Sequence, residues 1–146
     1  MKIAQRTKGL LTLTAGLMAL ALATCLHAQT PGKAEVRAIK GSASFSAAPG
    51  APSAALKVGT VLYSGSTIKT GPGAWVDLFL GNSAGSVRVT ESTTLSLDKL
   101  AFTDTGADTV VEVQLNLPDG TILGNVNKLS AASKYEVKVP DRKSVV

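Results

Sequence analysis

Residues 71–81 read GPGAWVDLFLG, and this stretch decides the fold of the chain. Two sets of side chains alternate within it, with Ala74, Val76, Leu78 and Leu80 in one set and Trp75, Asp77 and Phe79 in the other. Side chains two residues apart lie on the same face of a β-strand, so the aliphatic set predicts a buried face. The flanking glycines mark turns, because glycine adopts backbone conformations that other residues resist. The stretch is therefore typical of one strand in a sheet.

The same alternation recurs along the rest of the chain, whereas helical periodicity is nearly absent after the N-terminal segment. It is found at residues 87–90, 94–97, 110–117 and 134–139, which read VRVT, TLSL, VVEVQLNL and KYEVKV. Glycine-rich punctuation separates these runs at short intervals. Many short strands with frequent turns predict an all-β domain, as a compact antiparallel β-sandwich or β-roll, with a short β-helix as the alternative.

Three segments between the strands are assigned to turns or loops. Pro118-Asp119-Gly120 predicts a tight turn, because proline sets the entry dihedral and glycine takes the positive one. Residues 46–55, SAAPGAPSAA, are too small and proline-rich to pack, which predicts a loop. Residues 127–133, NKLSAAS, are also assigned to a loop.

The two ends of the chain differ from its middle. Residues 1–28 combine a basic start, an apolar run at 10–23 and small residues at the exit, which predicts a signal peptide. The run is shorter than the ~20 apolar residues that span a bilayer. Residues 29–140 are then one β domain, and residues 141–146, DRKSVV, form an off-pattern tail. A common sequencing-adapter sequence encodes these six residues, so we hypothesise that the natural chain continues beyond Pro140.

Export would place the domain in the periplasm or outside the cell. Cys25, the single cysteine, follows a sequence that loosely resembles a lipoprotein box, so a lipid anchor at this residue is the alternative location. Cleavage after Ala28 would leave a chain without disulfides, held by its apolar core. Cleavage would also remove three positive charges, so the net charge of +5 would become +2. The basic balance therefore does not indicate nucleic acid binding, and no transmembrane segment is expected in the mature chain.

Residues 103–108, TDTGAD, contain the sequence of a retroviral-type aspartic protease loop. Such an enzyme needs two facing carboxylates that share a proton, so Asp104 would require a second copy of the chain. A later Ile122-Leu123-Gly124 could pack beneath the loop, but only residues 107–121 lie between, too few for the usual strands and flap. The favoured interpretation is a turn in which Asp104, Gly106 and Asp108 lie between two strands with their carboxylates in solvent.

No other catalytic set is recognisable in the sequence. The single histidine, His27, lies in the predicted leader, and a mature chain without histidine or cysteine lacks the usual general base and thiol nucleophile. The spacing of Asp98, Asp104 and Asp108 does not follow a known calcium loop. We therefore predict a non-enzymatic protein and assign no catalytic, cofactor-binding or metal-binding residue.

Residues 56–71, LKVGTVLYSGSTIKTG, resemble the opening of a FecR-type domain, and residues 74–81 resemble the strand that follows it in that family. Residues 87–95, 117–123 and 135–140 resemble the later segments, with Val139 where the family usually has threonine. The order of the pieces carries the resemblance, which runs from about Ala34 to Pro140. In the best-known members this domain helps to pass an iron-uptake signal to a sigma factor; the resemblance is carried over here for the domain alone. It implies that Thr70 and the glycines are fold positions.

The sequence favours an exported FecR-like module that binds a partner protein or an envelope polymer, in a signalling or structural role. Two alternatives stay open: an aspartic peptidase using Asp104, and a glycan-binding sandwich using Trp75, Tyr63 and Phe79 as stacking rings. The partner, the ligand and the oligomeric state are not predicted.

Overall fold

A computed structural model of the protein describes residues 30–81 and 83–140. The predicted signal peptide at 1–28, the lipidation alternative at Cys25 and the off-pattern tail at 141–146 lie outside the described residues. Within the described ranges every regular element is a β-strand. No helix in this part of the chain is long and apolar enough to cross a membrane. The predicted all-β class is therefore confirmed.

Twelve strands make up the described part of the chain. They are β1 (Thr30–Pro31), β2 (Lys33–Lys40), β3 (Ala43–Ser46), β4 (Ala54–Ala55), β5 (Val61–Tyr63), β6 (Thr67–Thr70), β7 (Trp75–Phe79), β8 (Ser86–Val89), β9 (Thr94–Asp104), β10 (Thr109–Asp119), β11 (Ile122–Asn125) and β12 (Lys134–Lys138). A seven-stranded sheet has the order β12-β10-β9-β6-β3-β4, with β1 also paired to β9. A five-stranded sheet has the order β11-β8-β7-β2-β5. Neither sheet closes into a barrel, which agrees with the predicted sandwich or roll.

The alternation read from the sequence places the core between the two sheets. Val76 and Leu78 of the five-stranded sheet and Val113 and Leu115 of the seven-stranded sheet are buried in one cluster. The apolar side chains of the core are aliphatic, and all six aromatic residues of the chain remain at least partly exposed: Phe45, Tyr63, Trp75, Phe79, Phe102 and Tyr135. Burial of this aliphatic surface supplies the main favourable free energy of folding. Phe45, Phe102 and Tyr135 pack against the core cluster, whereas Tyr63, Trp75 and Phe79 are not part of it.

Two β-bulges change which residues of a strand face the core. In β9, Leu97 and Leu100 both point inward because the register with β10 shifts between them. In β2, the register with β7 shifts at Arg37, so that Val36 and Ile39 share the inner face. A bulge adds one residue on one strand and reverses the phase of the alternation beyond it. Because of the bulges, the buried positions of β2 and β9 do not follow a single period-two alternation along the whole strand.

The C-terminal strand pairs in parallel with its neighbour, whereas the other strand pairs among the described residues are antiparallel. β12 runs parallel to β10, because the chain leaves the seven-stranded sheet, forms β11 in the other sheet and then returns. Tyr135 lies on the inner face and is half-buried, but Val137 and Val139 stay 38% and 64% exposed. The apolar face that the sequence predicts for residues 134–139 is therefore only partly covered, because β12 is the edge strand of this sheet.

The turn predicted at Pro118-Asp119-Gly120 is a corner between the sheets. β10 extends through Asp119 beside β9, whereas β11 pairs with β8, so the two strands do not form a hairpin. Pro118 is tolerated in β10 because the register with β9 is interrupted between Asn116 and Asp119. Gly120 has the expected positive φ of 99°.

Of the two predicted loops, one lacks regular structure and the other contains a short strand. Residues 127–133 contain no helix or strand, as expected. The segment at 46–55 is more ordered than a plain loop, because β4 within it pairs with β3. The Ser46 hydroxyl also donates to the carbonyl of Ala51 at 2.8 Å, which joins the two ends of the turn.

Candidate functional site

The protease-like motif is the turn of a β-hairpin. Asp104 ends β9, and its carboxylate accepts a hydrogen bond from the backbone N–H of Gly106 at 2.8 Å. The Thr105 hydroxyl donates to the carbonyl of Asp108 at 2.7 Å. Both aspartates are exposed, as the turn interpretation predicts. Local bonds of this kind are the usual reason for Asp and Thr in a turn.

The other residues considered for chemistry are dispersed. Ile122-Leu123-Gly124 pairs with β8 in the opposite sheet and does not lie beneath the Asp104 turn. Asp98 lies at the bulge in the middle of β9, away from the hairpin tip. Within residues 30–81 and 83–140, no three acidic, histidine or cysteine side chains are grouped so that they could hold a metal ion.

The outer faces of the two sheets have contrasting chemistry. The outer face of the seven-stranded sheet is polar, with Thr67, Lys69, Ser96, Glu112, Gln114 and Asn116 in neighbouring strands. The outer face of the five-stranded sheet, which we call the aromatic face, carries Val61, Tyr63, Trp75, Phe79 and Leu123 with Arg37 and Arg88. Tyr63 is 54% and Leu123 60% exposed. Exposed apolar side chains that are grouped in this way are typical of interaction surfaces.

Trp75 is covered by an arginine from the next strand. The Arg88 guanidinium lies 4.6 Å from the centre of the Trp75 ring. Asp77 holds the same guanidinium through two hydrogen bonds, from Nε at 2.6 Å and from Nη2 at 2.7 Å. This bidentate pair raises the pKa of Arg88 above its ordinary value. The cross-strand partners Asp77 and Arg88 thereby order a cation over the ring.

Phe79 is covered in a similar way by an arginine of β2, which pairs with β7 on the side opposite to β8. The Arg37 guanidinium lies 4.7 Å from the centre of the Phe79 ring, and its Nη2 is 3.5 Å from a carboxylate oxygen of Glu35. Arg37 reaches the ring from the β2 bulge. A sugar ring stacks on an open aromatic face, and one face of Trp75 and one of Phe79 are occupied by guanidinium groups. Among the described residues, no guanidinium group is found over the ring of Tyr63, the third residue of the proposed glycan platform.

A cavity of about 500 Å³ opens at one end of the aromatic face, between the two sheets. Tyr63 and Phe79 line it from the five-stranded sheet and Phe102 from the seven-stranded sheet. Lys33 and Glu35 lie at its rim. At the neighbouring Gly32 the chain passes between the sheets, and a Cβ there would lie 2.7 Å from Phe102 and 2.8 Å from the Leu100 backbone. Only glycine fits this crossing without displacing the wall of the cavity.

Thr70 is a structural position, as expected. Its side chain is buried, donates to the carbonyl of Thr90 and accepts from the backbone N–H of Thr93 at 3.0 Å. Thr93 in turn accepts from the N–H of Thr121 at 3.0 Å. These hydroxyls join β6, the β8–β9 turn and the corner after β10. Buried polar groups paired in this way specify the packing of the loops.

The sequence reading missed Arg37, Arg88 and Phe102 as members of the candidate site. A detectable signal was present for one of them, since Asp77 and Arg88 are oppositely charged outward positions on consecutive strands. Arg37 and Phe102 depend on the bulges in β2 and β9, which reset the strand phase.

Comparisons with protein-family models, curated proteins and solved structures found no match to this chain. The resemblance to the FecR-type domain therefore rests on the order of its sequence segments. The aromatic face and its cavity are the features on which a function can be argued, because they are built by neighbouring strands of a packed sheet.

Proposed function

We propose that this protein is an exported, non-enzymatic FecR-like β domain that binds a partner protein through the aromatic face. The observation that carries the proposal is the contrast between the two outer faces. One carries hydroxyl, amide and charged groups, whereas the other places Tyr63, Trp75, Phe79 and Leu123 among charged side chains. Tryptophan, tyrosine and arginine are the residue types that most often dominate the binding energy of protein interfaces.

The order already present in the aromatic face favours binding. Arg88 is held by Asp77 and by the ring of Trp75, and Arg37 by the ring of Phe79. A side chain that is fixed before binding loses little conformational freedom when a partner covers it. A groove of about 400 Å³ also runs between Arg37, Arg88 and Leu123. Side chains of a partner can fill this groove.

Export is supported by the sequence of residues 1–28, with its basic start, short apolar run and small-residue exit. The FecR-like order of segments supports a role in the envelope, in signalling or as a structural module. The glycan alternative receives less support, because guanidinium groups cover Trp75 and Phe79. The peptidase alternative also receives less support, because the Asp104 carboxylate is engaged within its own turn.

Site-specific photocrosslinking in cells that naturally make the protein tests this proposal. A photoreactive amino acid would replace Leu123 on the aromatic face, and Lys69 on the polar face in a matched control. We expect a discrete protein adduct from position 123 and none from position 69. The adduct, identified by mass spectrometry, would then be purified, and Leu123→Ser should weaken its binding to the domain. Identical adducts from both positions, or none from position 123, would refute the proposal.

A further inference from the structure

The cavity at the end of the aromatic face has walls and a size suited to an aromatic side chain. Tyr63, Phe79 and Phe102 surround a space of about 500 Å³ that is open to solvent. Ligand-binding cavities typically enclose ~300–1,000 Å³. Aromatic rings interact favourably edge to face or offset, so three rings around one opening favour a fourth ring as the occupant.

The rim of the cavity adds a preference for negative charge. Lys33 is exposed on β2, and it takes part in none of the ion pairs found among the described residues, which join Arg37, Arg88, Lys99 and Lys134 to carboxylates. The other charged group at the rim, Glu35, lies near the guanidinium of Arg37 at 3.5 Å. The Glu35–Arg37 pair is neutral as a unit, which leaves the positive charge of Lys33 to interact with an incoming carboxylate.

The cavity adjoins the groove of the aromatic face at a shared side chain. Phe79 lines both this cavity and the groove beside Arg37, Arg88 and Leu123. A single extended segment of a partner can therefore place one side chain in the cavity and lay its neighbours along the groove. The anchor residues of an interface fill pockets from which water is excluded.

We infer that the cavity is an anchor pocket for an aromatic residue that stands beside Asp or Glu in a segment of the partner protein. The inference rests on the proposed function and specifies the chemistry of the partner. The aromatic ring enters between Tyr63, Phe79 and Phe102, and the adjacent carboxylate lies near the ammonium of Lys33. The selectivity for an acidic neighbour comes from Lys33 and the apolar selectivity comes from the three rings.

The test is a titration of the ¹⁵N-labelled protein, expressed from its full coding sequence, with three capped peptides. They are Gly-Asp-Phe-Asp-Gly, its uncharged analogue Gly-Asn-Phe-Asn-Gly and its ringless analogue Gly-Asp-Ala-Asp-Gly. We expect the acidic phenylalanine peptide to shift the amide resonances of Gly32, Tyr63 and Gly81, with a Kd on the order of a millimolar. The uncharged analogue should bind about two- to fivefold more weakly, and the ringless analogue should leave these resonances unmoved.

Three variants assign the selectivity to named side chains. Lys33→Gln should remove the preference for the acidic peptide over its uncharged analogue, whereas Lys57→Gln, an exposed lysine outside the cavity, should retain it. Tyr63→Ala should weaken both phenylalanine peptides, and it should leave the fold intact because the side chain is 54% exposed. Equal binding of all three peptides, or shifts confined to residues outside the cavity, would overturn the inference.

Failure of the pocket and failure of the proposed function give different results. A crosslinked partner whose binding requires Leu123 but is unaffected by Tyr63→Ala and Lys33→Gln would leave the aromatic face as the interface and reject the anchor pocket. A partner that is weakened by all three substitutions would support both.

Discussion

At the scale of single residues, both the backbone conformation and the close packing at position 120 require glycine. Its φ is 99°, and a Cβ there would lie 2.5 Å from the Cα and 2.6 Å from the Cβ of Thr93. Gly50 also has a positive φ of 77°, but a Cβ there would meet nothing within 4 Å. An alanine at position 50 therefore has only the conformational free-energy cost, whereas an alanine at position 120 has that cost and the cost of a steric clash.

We expect Gly50→Ala to lower the free energy of unfolding by about 1–2 kcal/mol, which is the cost of a left-handed residue with a side chain. Gly120→Ala should lower it by at least about 3 kcal/mol, because overpacking adds to that conformational cost. Urea unfolding followed by circular dichroism measures both. Equal losses for the two variants would show that the corner at Gly120 relaxes freely.

The single tryptophan reports directly on the stacking of Arg88. Removing the guanidinium in Arg88→Ala should expose the Trp75 ring to water and shift its fluorescence emission to longer wavelength. Arg37→Ala is the matched control, because Arg37 stacks on Phe79 and should leave Trp75 emission unchanged. An unshifted spectrum in Arg88→Ala would mean that Arg88 does not cover the ring in solution.

At the scale of elements, β12 carries a titratable group into the edge of the core. Tyr135 packs against the buried cluster, and burial raises the pKa of its phenol above the ordinary value. The folded protein therefore keeps this proton at a pH where the unfolded chain, with a tyrosine pKa of about 10, releases it. The stabilising contribution is complete below that pH and is lost as the pH rises through the raised value.

We expect the free energy of unfolding to fall as the pH rises above about 9, toward and past the unfolded pKa of about 10, with a shallower fall in Tyr135→Phe. Phenylalanine keeps the apolar ring and removes the ionisable hydroxyl, so the difference between the two curves isolates the phenol. Urea titrations at several pH values in this range give the comparison. Superimposable pH dependences would contradict the burial of Tyr135 on β12.

The strands themselves were largely predictable, and their irregularities were not. Period-two alternation identified β7, β8 and β10 because each covers one face of the core with few interruptions. The bulges in β2 and β9 escaped it, since a bulge is defined by the register with a neighbouring strand. The parallel pairing of β12 escaped it as well, because alternation is the same in parallel and antiparallel strands.

At the scale of the whole molecule, the two sheets share one core and should unfold together. Leu115 lies in the seven-stranded sheet, whereas Trp75 lies in the five-stranded sheet, and the Leu115 side chain is fully buried. Leu115→Ala should cost about 2–5 kcal/mol. Because the core is common, Trp75 fluorescence and far-ultraviolet circular dichroism should report the same lowered midpoint.

Val58→Ala is the control for this experiment. Its side chain is 62% exposed, so the substitution should change the free energy of unfolding by no more than about 0.5 kcal/mol. Separate midpoints for the two probes in Leu115→Ala would show that each sheet unfolds as an independent unit.

The sequence by itself determined the all-β class, the buried face of most strands and the turn at Asp104, because these depend on residues close to one another in the chain. The tertiary structure alone decided which strands are neighbours, and with that the candidate site. Tyr63, Phe79 and Phe102 lie on three strands far apart in sequence, and they line one cavity only after β5, β7 and β9 take their places in two facing sheets. Side-chain alternation specifies a face, whereas strand order depends on how all the faces pack together.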